Sequence, residues 1–322
     1  MAPIFTPASG GLLRLWSRTA GLFLAMCAGA LFPGAYRLAP LIPYLVAIML
    51  FLSSLDLSIG LEAFRGTVWR ILAANLAIAF LGYFLLLPLD RNLALVAFLT
   101  GVTPTAISAP VITGFLEGRV EYVIASVLIT NIFIAVMLPF ILPLIVGTEA
   151  GISAADALRS VLLVVFVPLG LARGVSLFPG KLRRAAGRAK PLSFSVWLAA
   201  LFLVTAKSSH FLQSETRIPA GTLLAIAAIS LVICAVNFGV GTLLGGKRYR
   251  RESSQALGQK NNSFTIWLAL TFINPVVALG PTCYVLYHNA YNSLQLFNFE
   301  RKKKLNSAAG AGQPSGRCRS RR

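Results

Sequence analysis

The chain has 322 residues, a mean hydropathy of +0.76 and a hydrophobic fraction of 57%, and only 12% of its residues are charged. This composition excludes an ordinary soluble domain. The net charge of +19 does not indicate a nucleic-acid partner, because the basic residues lie in short clusters between apolar runs. Four cysteines without a C-x-x-C pair predict neither a disulfide framework nor a zinc site.

Apolar runs of about 20 residues recur along the chain, and each is long enough to cross a hydrocarbon core of roughly 30 Å. They predict an all-α membrane protein with ten spans and no separate soluble domain. The predicted spans are 15–32, 38–55, 69–87, 93–115, 122–146, 158–178, 192–211, 220–244, 253–277 and 279–297. Arg14 and Arg18 ahead of the first run also fit a signal peptide, but the even span count favours a retained helix.

The distribution of Lys and Arg predicts the orientation of these spans. With the N-terminus inside, the inner segments hold 23 basic residues and the outer segments hold five. Both termini are therefore predicted to be cytoplasmic, in a multi-pass protein of the cell (inner) membrane. The basic, Gly/Ser-rich segment 300–322 predicts a disordered cytoplasmic tail.

Two spans carry signs of interruption at matching positions. The fourth reads "TGVTPTAISAPVITG", in which Pro104 and Pro110 lie among Thr and Ser residues, and the ninth contains Gly258 followed by Asn261 and Asn262. Proline removes a backbone donor and clashes with the preceding turn, so the fourth helix is predicted to break. Prolines and glycines also kink membrane helices without further purpose, but two polar interruptions in corresponding places favour a transport site.

Ten spans divide into two sets of five, predicted as residues 1–147 and 155–299. Because five is an odd number, the second set is inverted relative to the first, which is the plan of many secondary transporters. In such proteins the interrupted helices mark the binding site near the bilayer midplane.

Lys260 lies in a polar segment inside the ninth span, where nine of the thirteen residues 253–265 are Ser, Gln, Lys, Asn or Thr. It follows Glu252 by eight residues, which places it roughly 12 Å into the membrane. A central lysine costs about 2.5–3.5 kcal/mol on insertion scales. Snorkelling to the inner surface is the alternative, but Gln259, Asn261 and Asn262 favour an internal polar site.

Three segments in this order resemble the bile acid:sodium symporter superfamily over nearly the whole chain. "TPTAISAPVITGFLEGRVEYVIAS" looks like the family's crossover-helix segment. "ALGQKNNSFTIWLAL" looks like its Glu-x-Gly-x-Gln-Asn-Ser motif, and "YHNAYNS" resembles its aromatic-His-Asn signature. The resemblance implies two inverted five-helix repeats with crossing broken helices four and nine, divided into a four-helix panel and a six-helix core.

The same resemblance implies two sets of site residues. The predicted substrate-binding residues are Ser108, Thr113, Asn261, Asn262, His288 and Asn289. The predicted residues of an ion site, or of its replacement, are Lys260, Gln259, Asn75, Ser126 and Thr130.

The chain departs from the family at the sodium ligands. Ala256 stands where sodium-coupled members carry a glutamate, and Lys260 stands at the position of a sodium-binding glutamine. Ala109 and Pro110 fall at the family's Ser-Asn pair. Sodium prefers hard oxygen ligands, and an ammonium supplies the same charge in that space, so no cofactor is predicted and sodium coupling is in doubt.

These observations predict a secondary active transporter of a small organic anion in the lipid bilayer. A conventional sodium-coupled symporter and a substrate sensor that does not transport are the alternatives. An intramembrane enzyme is not indicated, because no serine-nucleophile motif occurs and Asp56 and Asp90 are isolated near span ends. An arsenite exporter of the same superfamily is not indicated either, because the fourth span has no cysteine.

Overall fold

The computed structural model describes residues 10–55, 67–146, 159, 162–177, 188–189, 192–214 and 219–311, and the regular elements within these residues are all helical. The α-helices are α1 Gly10–Leu31, α2 Ile42–Ser54, α3 Thr67–Leu86, α4 Arg91–Val102, α5 Ala109–Phe115, α6 Val120–Val146, α7 Val167–Leu177, α8 Leu192–Ser214, α9 Ala220–Gly245, α10 Arg250–Gly258, α11 Asn262–Phe272 and α12 Pro275–Ala311. A 3₁₀ helix, Pro33–Leu41, precedes α2, and a π-helical segment, Leu162–Phe166, precedes α7.

Four helical stretches among the described residues are long and apolar enough to cross a membrane by length and composition: Pro33–Leu52, Thr67–Leu86, Val120–Val146 and Ala220–Gly245. Two shorter apolar helices are Arg91–Val102 and Phe194–Lys207. By their length and composition these helices agree with the predicted class, an all-α membrane protein.

The fourth and ninth predicted spans are each two helices in the structure. The fourth divides into α4 and α5 around residues 103–108, and the ninth into α10 and α11 around residues 259–261. Pro104 lies inside the first gap, and Pro110 lies in the first turn of α5. Proline is tolerated there because the first amide groups of a helix have no hydrogen-bond acceptor within the helix. We call residues 103–108 and 259–261 the crossover.

The last helix is longer than the sequence predicted. Residues 300–311 continue α12 instead of forming a disordered tail, because "ERKKKLNSAA" contains good helix formers and no proline. Residues 312–322, and most of the predicted start of the sixth span before residue 162, lie outside the described residues.

The helices pack in two groups. In the first, α1 packs on α8, α8 on the 3₁₀ helix and α2, and α2 on α7. In the second, α9 packs on α3, α4, α10 and α12, while α6 packs on α3, α5 and α10. The crossover lies in the second group, and α11 is one of the helices that also contact the first.

Candidate functional site

The two interruptions of the crossover pair with each other through their backbones. The Ala106 amide donates to the Gln259 carbonyl at 2.8 Å, and the Asn261 amide donates to the Pro104 carbonyl at 2.8 Å. These bonds form an antiparallel bridge between two short extended segments. Backbone groups freed at membrane depth need protein partners or water, and here each interruption supplies them for the other.

Lys260 extends from the crossover to the carboxyl end of α4. Its Nζ donates to the Asn75 side-chain oxygen and, at 3.1 Å, to the Gly101 carbonyl. The side chain is only 3% exposed. The carbonyls of a helix C-terminus carry partial negative charge, so this end of α4 is a favourable place for a cation.

Asn75 of α3 connects the lysine to the end of α4. Its Nδ2 donates to the Val102 carbonyl at 3.0 Å and to the Thr103 carbonyl at 3.4 Å, while its oxygen accepts from Lys260. Asn75 is 1% exposed, and both ends of its amide are hydrogen bonded. The predicted ion-site residues Asn75 and Lys260 are therefore in direct contact.

Ser126 and Thr130 of α6 lie on the other side of the crossover, beside Thr105. The Thr105 amide donates to Thr130 Oγ1 at 3.0 Å, and Thr130 Oγ1 in turn donates to the Ser126 carbonyl at 2.8 Å. Thr105 Oγ1 donates to the Ala256 carbonyl at 2.6 Å. Asn131 donates to the Thr105 carbonyl at 2.8 Å. The Thr105, Thr130, Ser126 and Ala256 oxygens named here all take part in hydrogen bonds within the chain.

Three predicted site residues, Ser108, Gln259 and Asn261, form side-chain hydrogen bonds within the crossover or from it to α6. Gln259 Nε2 donates to Ser108 Oγ at 2.9 Å, which links the two interruptions through side chains. Asn261 Nδ2 donates to Asn131 Oδ1 at 3.4 Å. Ser108, Gln259 and Asn261 thus belong to the same polar cluster.

Of the remaining predicted substrate residues, one pair meets and two do not join the cluster. Asn262 Nδ2 and His288 Nδ1 are 3.5 Å apart, and both side chains are buried. Thr113 donates to the Ala109 carbonyl of its own helix, and Asn289 donates to the Val285 carbonyl of its own helix. The structure gives Thr113 and Asn289 no side-chain bond to the crossover.

Three buried polar atoms around the crossover have no hydrogen-bond partner among the described residues. They are Gln259 Oε1, Asn262 Oδ1 and Thr100 Oγ1. An unpaired buried acceptor costs about 1–3 kcal/mol, so such atoms indicate a site for a donor, either water or a ligand group.

Sequence reasoning missed three residues that hold the crossover: Thr105, Asn131 and Tyr284. Tyr284 is fully buried, and its hydroxyl donates to the carbonyl of Gly258 at 2.7 Å, at the last residue of α10. Asn237 Nδ2 donates to the same hydroxyl at 3.1 Å. A buried tyrosine hydroxyl usually has a hydrogen-bond partner, and this preference is the one feature of the sequence that could have pointed to Tyr284.

Within the described part of the chain, no group of three or more His, Cys, Asp or Glu side chains is placed to hold a metal ion.

A cavity of about 570 Å³ lies away from the crossover, between α11 and the first helix group. None of the predicted site residues lines it. We call it the lateral cavity. Its lining residues are Ala39, Pro40, Ile42, Pro43, Tyr44, Ala47, Leu163, Val164, Lys207, Trp267, Leu270 and Thr271.

The fold and the crossover define a helical membrane protein with two interrupted helices that meet at a buried polar site. Comparison with protein families matches the Sodium Bile acid symporter family over residues 34–241, which is more than half of the chain. The chain therefore belongs to that family, which consists of transporters and not of enzymes. The match includes the first interruption and ends before the second. Comparison with curated proteins gave no match.

Proposed function

We propose that the protein is a secondary active transporter that moves a small organic anion by alternating access, and that Lys260 replaces a bound sodium ion. The family supports transport of this general kind. The single observation that carries the sodium proposal is the contact of Lys260 Nζ with Asn75 and with the Gly101 carbonyl at the carboxyl end of α4.

The position of this ammonium is one that a transported cation would favour. In transporters with interrupted helices, half-helix C-termini and unwound carbonyls coordinate the coupling ion. Here the Lys260 ammonium occupies such a place and satisfies its charge with the dipoles of Gly101 and Asn75. A sodium ion at the same carbonyls would meet a like charge at close range, which is strongly unfavourable in a buried site.

The second set of predicted ion ligands offers little to sodium. Ala256 provides no carboxylate, and its carbonyl already accepts a hydrogen bond from Thr105. Thr130 Oγ1 accepts from the Thr105 amide, and the Ser126 hydroxyl donates to the Tyr122 carbonyl at 3.0 Å. Without a carboxylate, a cation in this place lacks the charged oxygen that usually offsets its desolvation.

Alternating access requires two bodies that move against each other. We assign α1, α2, α7 and α8 with the 3₁₀ and π segments to the panel, and the remaining helices to the core. The packing of α1 on α8 and of α2 on both α7 and α8 supports this division. The antiparallel pairing of the crossover supports two inverted repeats, because its two hydrogen bonds flank the Thr105–Lys260 pair symmetrically, one from each interruption to the other.

The substrate is proposed to bind where the crossover faces the panel. Ser108, Thr113, Asn261, Asn262, His288 and Asn289 remain the proposed substrate residues. An anion is favoured because the Lys260 charge and the amino end of α11 lie in the same region. Asn262 Oδ1 and Gln259 Oε1, which lack partners, would be completed by a substrate hydroxyl or by water.

The experiment is a thermal-shift screen of organic acids on the purified protein, followed by flux of the best ligand in proteoliposomes. We expect flux in choline medium equal to flux in sodium medium. Flux that requires sodium would establish a sodium-coupled symporter instead. Binding without flux in either medium would establish a sensor that does not transport.

A further inference from the structure

The segment 116–119 between α5 and α6 is held against the first turn of α10. The Arg119 amide donates to Glu252 Oε1 at 2.8 Å, and Arg251 Nη1 donates to the Leu116 carbonyl at 2.7 Å. These bonds fix the backbone of the segment relative to the start of α10, so side chains from the two places keep a defined geometry.

Tyr249, the residue before α10, carries two guanidinium groups. The guanidinium carbon of Arg119 lies 5.4 Å from the centroid of the Tyr249 ring, and that of Arg248 lies 5.1 Å from the same centroid. Arg119 Nη1 also donates to the Tyr249 hydroxyl at 3.3 Å. Tyr122 of α6 stacks on this ring with 5.0 Å between centroids, which holds the ring in place. We call Arg119, Arg248 and Tyr249 the arginine-pair site.

The two positive charges of the arginine-pair site meet without a carboxylate between them. Among the described residues, the side-chain contacts recorded for both guanidinium groups are with Tyr249. The Glu252 carboxylate is buried and accepts from the Arg119 backbone. An aromatic face offsets only about 0.5–1 kcal/mol at an exposed site. An oxyanion placed between the guanidinium groups would relieve their repulsion and accept their N–H donors.

Two helices begin beside the same site. α6 begins at Val120, directly after Arg119, and α10 begins at Arg250, directly after Tyr249, which makes no side-chain capping bond. The first amide groups of a helix lack acceptors within the helix and carry partial positive charge. They add to the attraction for an anion, although a glutamate in the first turn of each helix offsets part of it.

A solvated basic surface is the simpler explanation for arginines near the end of a span, but it does not explain this geometry. Solvated like charges gain by staying apart, whereas Arg119 and Arg248 come from separate parts of the chain and converge on one ring. Lys247 and Arg250 belong to the same basic cluster, are exposed, and lie outside these ring contacts.

We propose that the arginine-pair site binds a phosphomonoester group. Such a group carries about −1.5 to −2 charges at pH 7 and three acceptor oxygens, which suit two guanidinium groups. Both arginines are exposed, so a soluble phosphate ester reaches them. Leu243, near the end of α9, is 79% exposed, so an apolar surface for the chains of a phospholipid lies close by as well. Binding here does not depend on the proposed transport function.

The test measures the denaturation temperature of the full-length protein in detergent micelles with two probes that share one head group. The soluble probe is glycerol 3-phosphate, and the lipid probe is dioleoyl phosphatidic acid. We expect a saturable rise, measured against sodium chloride of the same ionic strength and against dioleoyl phosphatidylcholine. A rise with both probes would assign the site to phosphate esters in general, and a rise with the lipid alone would assign it to the membrane lipid.

A pair of double variants tests the residues. Arg119→Gln with Arg248→Gln should raise the half-saturating probe concentration about tenfold or more, the loss expected when charge-assisted contacts are removed. Lys247→Gln with Arg250→Gln removes the same number of positive charges from neighbouring positions and should leave that concentration nearly unchanged. Folding of each variant is checked by its elution profile and helical circular dichroism. Arg248→Gln alone keeps the hydrogen bonds of segment 116–119 and replaces the first double variant if that one does not fold.

Three results would overturn the proposal. The absence of a saturable rise with either probe would mean that no phosphomonoester binds. An equal rise with dioleoyl phosphatidylglycerol, which carries one negative charge, would mean a general attraction of the basic surface to anionic lipid. Equal losses in the two double variants would mean that the net charge of this surface, and not the pair of arginines on Tyr249, controls binding.

Discussion

Lys260 is a buried lysine whose Nζ contacts the Asn75 amide oxygen and the Gly101 carbonyl, and among the described residues no carboxylate contacts it. A buried ion pays several kcal/mol of desolvation, which dipoles repay only when they are well oriented. Asn75 is held by two further bonds to the end of α4, so its oxygen is fixed in place.

The first prediction concerns the exchange of this lysine for an ion site. Lys260→Met should abolish transport, because it removes the charge that the end of α4 and Asn75 surround. Lys260→Gln combined with Ala256→Glu introduces the amide and the carboxylate that the family resemblance implies at these positions in sodium-coupled members. We expect this double variant to be stabilised against thermal unfolding by sodium relative to choline, whereas the wild type should not distinguish the two salts. If sodium stabilised the wild type to the same degree, the proposal that Lys260 replaces a bound sodium ion would be contradicted.

The second prediction concerns Thr130. Thr130→Val keeps the shape of the side chain but leaves the buried Thr105 amide without its acceptor. The expected loss is about 1–3 kcal/mol in the free energy of unfolding, measured as a lower denaturation temperature in detergent. Thr242→Val is the matched control, because the Thr242 hydroxyl only donates to the Phe238 carbonyl of its own helix. Equal effects of the two changes would mean that the Thr105–Thr130 bond contributes nothing of its own.

At the scale of elements, the breaks in the fourth and ninth spans could be predicted from the sequence, but the residues that hydrogen-bond to them could not. Pro104 and Gly258 weaken a helix through local backbone chemistry, which a sequence displays directly. The contacts of Asn131 with Thr105 and of Tyr284 with Gly258 each join residues 26 positions apart, and they depend on how separate helices pack. For the same reason the sequence could not show that the Asn289 side chain donates to the Val285 carbonyl of its own helix, and its role in substrate binding stays a prediction.

The third prediction tests how α10 is held against α9. An added Cβ at Gly241 would lie 2.5 Å from the Ser253 carbonyl oxygen, which is backbone and cannot rotate away. Gly239 in the same helix has nothing within 4 Å of that position. We expect Gly241→Ala to lower the denaturation temperature by several degrees. Gly239→Ala should leave it unchanged or raise it, since alanine is favoured over glycine in a helix by about 1 kcal/mol.

The packing of α10 on α9 should also affect transport. Because α10 leads directly into the crossover, separating it from α9 should also lower transport. If Gly241→Ala were as stable and active as Gly239→Ala, the close approach of these two helices would not be needed for the site.

At the scale of the whole molecule, the charge distribution predicts a fixed orientation in the membrane. The fourth prediction is that Arg248→Cys and Arg37→Cys, in a background without the native cysteines, react with a membrane-impermeant thiol reagent from opposite sides. Both residues are exposed. Arg248 should react only from the cytoplasmic side, because it belongs to a basic cluster. Labelling of both positions from one side would reject the predicted topology.

The proposed panel and core are defined by helix packing, and alternating access would move one against the other. Under the proposed alternating access, the contacts of α11 and α12 with the first helix group would change during transport. The Lys207 hydrogen bond to Leu270 is one of them, because it joins α8 to α11.

The measurement that tests the central claim most directly is flux of the identified organic anion into proteoliposomes under three conditions: a sodium gradient, equal sodium on both sides, and choline replacing all sodium. If Lys260 takes the place of the ion, the initial rate should be the same in all three. A rate that rises with the sodium gradient and disappears in choline would contradict the account.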